Sequence, residues 1–277
     1  PQDWSWHALH DFFLVDAPPD HVATASHFDT ELVNDMSIHD RVVADYADTY
    51  IREKLPDDAP FIGVVQSNSA HFPFLPKEDV PWEIDSIEAR YEASVAMTDL
   101  LFGRTIEALR EKGELEDTII VFANDHGEFL YSVDSRESEE ITETWHDGLR
   151  VDSCHPRIVQ IPMFLYVPER WRRRLDISRS ALETNEERVV SSVDVVPTLV
   201  DALSLSDVMD SVELEPFDGR SLLERIPRSR HALCTTRPPW NMANKGGLGI
   251  FGLDRIAYFR RDFQRMCWFD PKKASIW

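Results

Sequence analysis

Apolar runs of strand length alternate with stretches of helical periodicity through residues 36–204, and this alternation most constrains what the chain can fold into. The helical stretches repeat their apolar residues at three- and four-residue steps. Over residues 35–54 these are Ile38, Val42, Val43, Tyr46 and Ile51, with Pro56 beyond the end. Residues 85–112 read as one long helix, apolar at Ala93, Val95, Ala96, Leu100, Leu101, Ile106 and Leu109, with Gly113 as its stop. Between the two, FIGVVQ (61–66) is rich in β-branched residues and is expected to form a buried strand. TIIVFAN (118–124) is the clearest strand of the chain, and MFLYVP (163–168) reads as another buried one. Residues 189–203 read as a short strand or loop followed by a helix after Pro197.

Such alternation predicts an α/β layered fold with a mostly parallel sheet flanked by helices. HALCTT (231–236), GIFGL (249–253) and RIAYFR (255–260) read as late strands, the last two spaced as a hairpin, and predict a small antiparallel C-terminal appendage. No repeat, low-complexity tract or linker divides the chain. The expected organisation is one domain over 1–277, with an irregular lead-in at 1–35, the α/β core at 36–204 and a C-terminal subdomain at 205–277.

Charge and cysteine usage narrow the function. The formal net charge is −21, which repels nucleic-acid phosphates and anionic membrane surfaces, so no nucleic acid is expected as a partner. A phosphate or sulfate ester would also be repelled unless a cation sat in the site. No apolar run has the length of a bilayer span. Cys154, Cys234 and Cys267 form no close pair, which argues against a structural zinc site or a disulfide framework. Residue 1 is Pro and not Met, so the start is expected to be processed, cropped or incomplete.

The strongest local signal for chemistry is the strand 118–124 running into Asp125-His126-Gly127-Glu128. In an open α/β sheet ligands bind beyond the carboxyl ends of the strands. A carboxylate and an imidazole delivered there together can both reach one divalent ion. Gly127 lets the backbone turn sharply and approach a ligand. His71, in the loop after 61–66, and His146, in WHDGL beyond the acidic stretch 131–145, are further candidates for a metal or phosphate pocket.

Taken in order, FIGVVQSNSAHFPF, the helix carrying Tyr91 and Asp99, TIIVFANDHGE, WHDGL, the Gln160-Ile161-Pro162-Met163 strand entry, and Asp194 with Pro197 and Thr198 resemble the alkaline phosphatase/sulfatase superfamily. The resemblance is closest to the branch of lipid A phosphoethanolamine transferases and lipoteichoic acid synthases. It covers 36–204 well and 205–277 loosely, where Trp268-Phe269-Asp270-Pro271 resembles the end of many sulfatase domains. It implies that Asp125 and His126 are ligands of a divalent metal ion: zinc, manganese, calcium or magnesium. His71 and His146 would hold the substrate's phosphate or head group, or a second metal. Glu128 would stand behind the ligands, and Asp99 and Asp194 would be structural, Asp194 at a helix start.

The implied activity is phosphoryl transfer of the phosphoethanolamine or phosphoglycerol type, or phosphate-ester hydrolysis, on a lipid or glycan head group. The alternatives are a sulfatase acting on sulfated glycans and a catalytically inactive binding protein of the same fold. The family's nucleophile and first acidic ligand lie upstream of the His71 equivalent. Residues 1–60 carry no Cys/Ser-x-Pro-x-Arg pattern, so the chain is expected to be a partial domain lacking its nucleophile segment and inactive as it stands. The resemblance also implies an extracytoplasmic parent protein, tethered to a membrane through an anchor preceding Pro1.

Overall fold

The computed structural model describes residues 19–32, 38–57, 59–71, 74, 80–128, 156–205, 217–235, 248–253, 256–259 and 266–269. The chain forms two compact units, residues 1–116 and residues 117–277.

The first unit is built on two helices. α1 spans Asp40–Glu53, opened by His39, whose Nδ1 accepts the Arg41 amide at 3.1 Å. α2 spans Ile87–Lys112, opened by Ser86 Oγ accepting the Ala89 amide at 3.1 Å. Gly113 closes α2 in the left-handed region at φ 87°, a conformation that favours a residue without Cβ. Asp40, Val43, Ala44 and Ala47 make up the buried stripe of α1, and Ala93, Ser94, Met97, Leu101, Ala108 and Leu109 that of α2. Ile38, Val43, Ala44 and Leu101 form the core, with Phe28, Val42 and Leu100 packed against it. Ile38, Val43 and Leu101, buried there, each stabilise by about 1.5–3 kcal/mol. Arg104–Asp45 and Arg52–Glu111 pair across the exposed rim of the two helices.

Residues 61–66 depart from expectation. They belong to neither sheet, and Ile62, Val64 and Val65 are 71%, 90% and 45% exposed. Strand composition is a local property, whereas a strand needs a neighbour to take its backbone groups, and no described strand lies in either ladder with this segment.

The second unit opens with β1, Ile120–Ala123, followed by the one-turn helix α3, Pro156–Val159, and β2, Met163–Tyr166. β1 and β2 pair antiparallel, with Ile120 opposite Tyr166 and Ala123 opposite Met163. Three helices follow: α4 (Glu169–Arg174), α5 (Arg179–Asn185) and α6 (Val195–Ala202). α6 starts two residues before Pro197 and not after it. In a first turn the missing proline N–H is one that would have no intrahelical partner. The C-terminal strands β3 (Ala232–Thr235), β4 (Leu248–Phe251), β5 (Ile256–Phe259) and β6 (Met266–Phe269) form a four-stranded antiparallel sheet in chain order. This is the expected appendage, with one strand more than its spacing indicated.

The mostly parallel sheet is not what the described residues form, since both of their sheets are antiparallel. The ladder β1–β2 arises because β2 runs back along β1, and the third strand expected beside them, 61–66, joins neither sheet. Nor is β2 buried on both sides: its residues alternate, with Phe164 58% and Tyr166 37% exposed. That is the pattern of an antiparallel strand with one open face.

A polar core ties α6 to the segment 217–230. Asp194 is fully buried, and its carboxylate accepts the Ser191 and Arg220 amides, both at 2.8 Å, and a two-pronged pair from Arg230. The carboxylate caps the 3-10 turn before α6 through Ser191 and not the helix's own first amides. Thr198 Oγ1 donates to the Asp194 carbonyl at 2.6 Å and accepts the Leu222 amide at 2.8 Å. Asn185 brackets Leu222, Glu224 and Ile226 through their main-chain groups. Gly219 packs so closely that a Cβ there would lie 2.0 Å from the Val193 carbonyl oxygen. No helix among the described residues is long and apolar enough to cross a membrane.

Candidate functional site

β1 delivers Asn124, Asp125 and His126 at its carboxyl end. The turn is held from outside by Gly127, whose amide donates to the Ile158 carbonyl on α3 at 2.6 Å; Ile158 itself is buried. The Asp125 carboxylate is oriented by the backbone of the next residue, its Oδ1 accepting the His126 amide at 2.8 Å. Its side chain stays 86% exposed, within reach of a ligand from solution. His126 Nδ1 lies 2.8 Å from the Gly127 carbonyl oxygen, which can only accept, so Nδ1 carries the proton of the neutral ring. The lone pair then sits on Nε2, 3.5 Å from Asp125 Oδ2.

Two acceptors at that separation repel unless a proton or a cation lies between them. An oxygen donor and a nitrogen donor held this way fit a divalent ion. Asn124 Oδ1 is a further oxygen at the strand end, buried and without a hydrogen-bond partner among the described residues. Among the described residues no group of three or more His, Cys, Asp or Glu side chains converges on one point. The structure thus brings together Asp125 and His126, two of the four residues singled out by sequence.

His71 belongs to the first unit and is half-buried. Its amide donates to the Asn68 carbonyl at 3.1 Å, and its carbonyl accepts the Phe74 amide at 3.1 Å. Phe74 is fully buried at φ 54°, with its ring edge-on to Tyr91 of α2 at 5.2 Å. Asp40, at the first position of α1, takes the other end of the loop. Its carboxylate accepts the amides of Asn68 at 3.2 Å and Ser69 at 3.3 Å, and a short hydrogen bond from Ser67 Oγ. Ser67 Oγ also meets Thr98 Oγ1 of α2 at 2.7 Å. Asp40 is not a candidate by sequence pattern alone. Its signal is that it shares the 3.6-residue stripe of Val43, Ala44 and Ala47, an acid on an apolar face. Asp99 lies exposed on α2, and His146 lies outside the described residues.

Comparison with known proteins adds to this geometry. The sulfatase family model matches residues 7–205. The chain is 26% identical to arylsulfatase K of Canis lupus familiaris over 172 residues, which is 61% of this chain and 26% of that protein. It is 28% identical to the ulvan-active sulfatase of Formosa agariphila over 140 residues, covering 43% of this chain and 26% of the relative. The chain thus spans about a quarter of the length of these curated relatives. Among solved structures, a lipoteichoic acid synthase from Listeria monocytogenes superposes with a TM-score of 0.62 at 19% identity, over 94% of this chain and 61% of that one. The chain therefore has the alkaline phosphatase-like fold in part of its extent.

Proposed function

Because the chain belongs to the sulfatase family, we propose that it forms part of a metal-dependent enzyme that cleaves sulfate esters, with Asp125 and His126 as ligands of the ion. The observation that carries this reading is the pair Asp125 Oδ2 and His126 Nε2, 3.5 Å apart at the end of β1. A divalent ion bound there supplies positive charge that polarises the ester oxygen and lowers the pKa of a hydroxyl. The protein's own part is to hold the ligands. The Gly127 carbonyl fixes the His126 ring, and the His126 amide fixes the Asp125 carboxylate. For His71 and His146 the family resemblance supports a role on the non-bridging oxygens of the ester. An acidic chain of net charge −21 needs such local positive charge to receive an anionic ester.

Sulfated glycans are the substrate class we favour, in line with the name of the ulvan-active relative. Residues 1–277 are read as one partial domain of an extracytoplasmic, membrane-tethered parent. One observation favours a second reading, transfer or hydrolysis of a phosphate ester of the phosphoethanolamine or phosphoglycerol type. The loop Ser69-Ala70-His71-Phe72-Pro73 is nearer in type to that branch than to the Pro-His-x-Pro loop of sulfatases.

The test is calorimetric titration with zinc, manganese, calcium and magnesium, on this chain and on an Asp125→Ala/His126→Ala variant. Turnover of 4-nitrophenyl sulfate and bis(4-nitrophenyl) phosphate is measured beside it on the full-length parent protein. One ion per chain, lost in the variant, supports the ligand assignment. Undiminished binding in the variant overturns it. Faster cleavage of the phosphate diester than of the sulfate moves the assignment to the second reading.

A further inference from the structure

We infer that Asp40 is a positioning residue for His71, acting through the main chain of the loop 67–71. Asp40 sits on α1, 31 positions before the histidine, and its carboxylate holds Ser67, Asn68 and Ser69. It thus acts on the peptide units that lead to the histidine. The Asn68 amide donates to Asp40, and the Asn68 carbonyl accepts the His71 amide, so one residue passes the constraint on. The Ser69 amide shares a peptide unit with that carbonyl and also donates to Asp40, and hydrogen bonds linked through one peptide unit polarise and strengthen one another. The Ser69 amide gives the carboxylate a second hold, and Ser67 Oγ links it to Thr98 on α2.

The far side of His71 is fixed as well. Its carbonyl takes the Phe74 amide, and Phe74 is locked by full burial against Tyr91. Phe74 holds φ 54°, a left-handed conformation that costs a non-glycine residue about 1–2 kcal/mol. Such strain persists where the surroundings over-determine it, and here it sits three residues from a candidate substrate-binding histidine. Held at Asn68 and at Phe74, the main chain of His71 is fixed at both ends within a half-buried loop. This preorganisation is what charge stabilisation in a transition state requires.

A carboxylate at the first turn of a helix has a simpler role, to complement the helix dipole. The two roles differ in what a substitution disturbs. Asp40→Asn keeps the volume but turns an amide NH2 toward donors that need an acceptor. Amide exchange, followed by NMR, should then speed up about tenfold or more at Asn68, Ser69 and His71, while the slow amides of α1 and α2, such as Ala47 and Leu101, stay within about threefold. The His71 Cε1–H resonance should shift in Asp40→Asn and not in Asp45→Asn. Unchanged loop amides, or a speed-up shared equally by the helices, overturn the inference. Should Asp40→Asn fail to fold, Ser67→Ala removes one donor alone and is expected to give the same loop-confined pattern at about threefold; a helix-wide response or none overturns it.

The inference rests on the proposed role of His71, so turnover is a separate arm. With 4-nitrophenyl sulfate and the full-length parent protein, kcat/KM should fall in Asp40→Asn and in His71→Ala. It should fall no further in the double variant than in His71→Ala, because the first residue works only through the second. Losses that multiply overturn the positioning role. Loop-confined exchange with no turnover in the full-length parent protein would leave the clamp standing and remove the esterase reading.

Discussion

Asp40 in the first unit and Asp194 in the second are both fully buried, both stand at the start of a helix, and both turn away from that helix to tether a loop. They differ in what neutralises them. Asp194 faces the Arg230 guanidinium in a two-pronged pair and takes two amides besides. Asp40 is held, among the described residues, by neutral donors: one hydroxyl and two amides. Asp194 binds scaffold to scaffold, and none of the candidate site residues lies in its network. Asp40 binds the loop that carries His71. A charge compensated by a buried charge makes a fixed joint, since removing either partner strands the other. A charge solvated by main-chain amides fixes where those amides, and the residues next to them, must sit.

The largest effect expected from this comparison is at Asp194. Asp194→Ala leaves the Arg230 side chain, 9% exposed, without its counter-charge and two buried amides without an acceptor. The loss should be about 3–5 kcal/mol by urea denaturation. A loss below that of Asp40→Ala would break the comparison, because the charged partner would then not be what separates the two joints. Gly219→Ala tests the same joint by sterics. The added Cβ would meet the Val193 carbonyl at 2.0 Å, next to Asp194, and backbone must move. About 2–3 kcal/mol is expected, and a tolerated alanine would mean that the segment 217–220 packs differently.

Asp40→Ala comes next, at about 1–3 kcal/mol, since three donors lose their acceptor but no buried cation is stranded. Thermal and urea denaturation should agree on the order Asp194, then Asp40. If Asp40→Ala equals Asp194→Ala, a charge compensates Asp40 after all, and the contrast between joint and clamp falls.

Much of the scaffold of this comparison is legible from sequence, because it depends on local patterns. α1 and α2 follow from three- and four-residue spacing, and the end of α2 from Gly113. β1, and Asp125 with His126 at its end, follow from one apolar run and its terminus. The features that escape depend on distant partners. The run 61–66 has strand composition yet stays outside both sheets, and the antiparallel sense of β1–β2 is set by pairing alone. α3, α4 and α5 have four, six and seven residues, too few turns for a period to declare itself. The sequence places Asp194 at a helix start, but its bonds to Arg220 and Arg230 span 26 and 36 positions and leave no local trace. Asp40 leaves a faint one, an acid in register with the buried face of its own helix.

The smallest expected effect sharpens the contrast most. Asp45 lies on α1, five residues beyond Asp40, and unlike Asp40 it has a formal ion pair, with Arg104 of α2. If a charged partner alone decided how much a carboxylate stabilises, Asp45 would outrank Asp40. Asp45 is 60% exposed and Arg104 37%, so water and salt screen the pair, and holding two long side chains together offsets part of the attraction. Asp45→Asn should therefore change stability by less than about 1 kcal/mol, and by less still in concentrated salt. Asp40, fully buried among neutral partners, should remain the larger of the two at every salt concentration. A reversal of that order would mean that the Asp40 carboxylate is hydrated in solution, and the clamp on His71 would lose its physical basis.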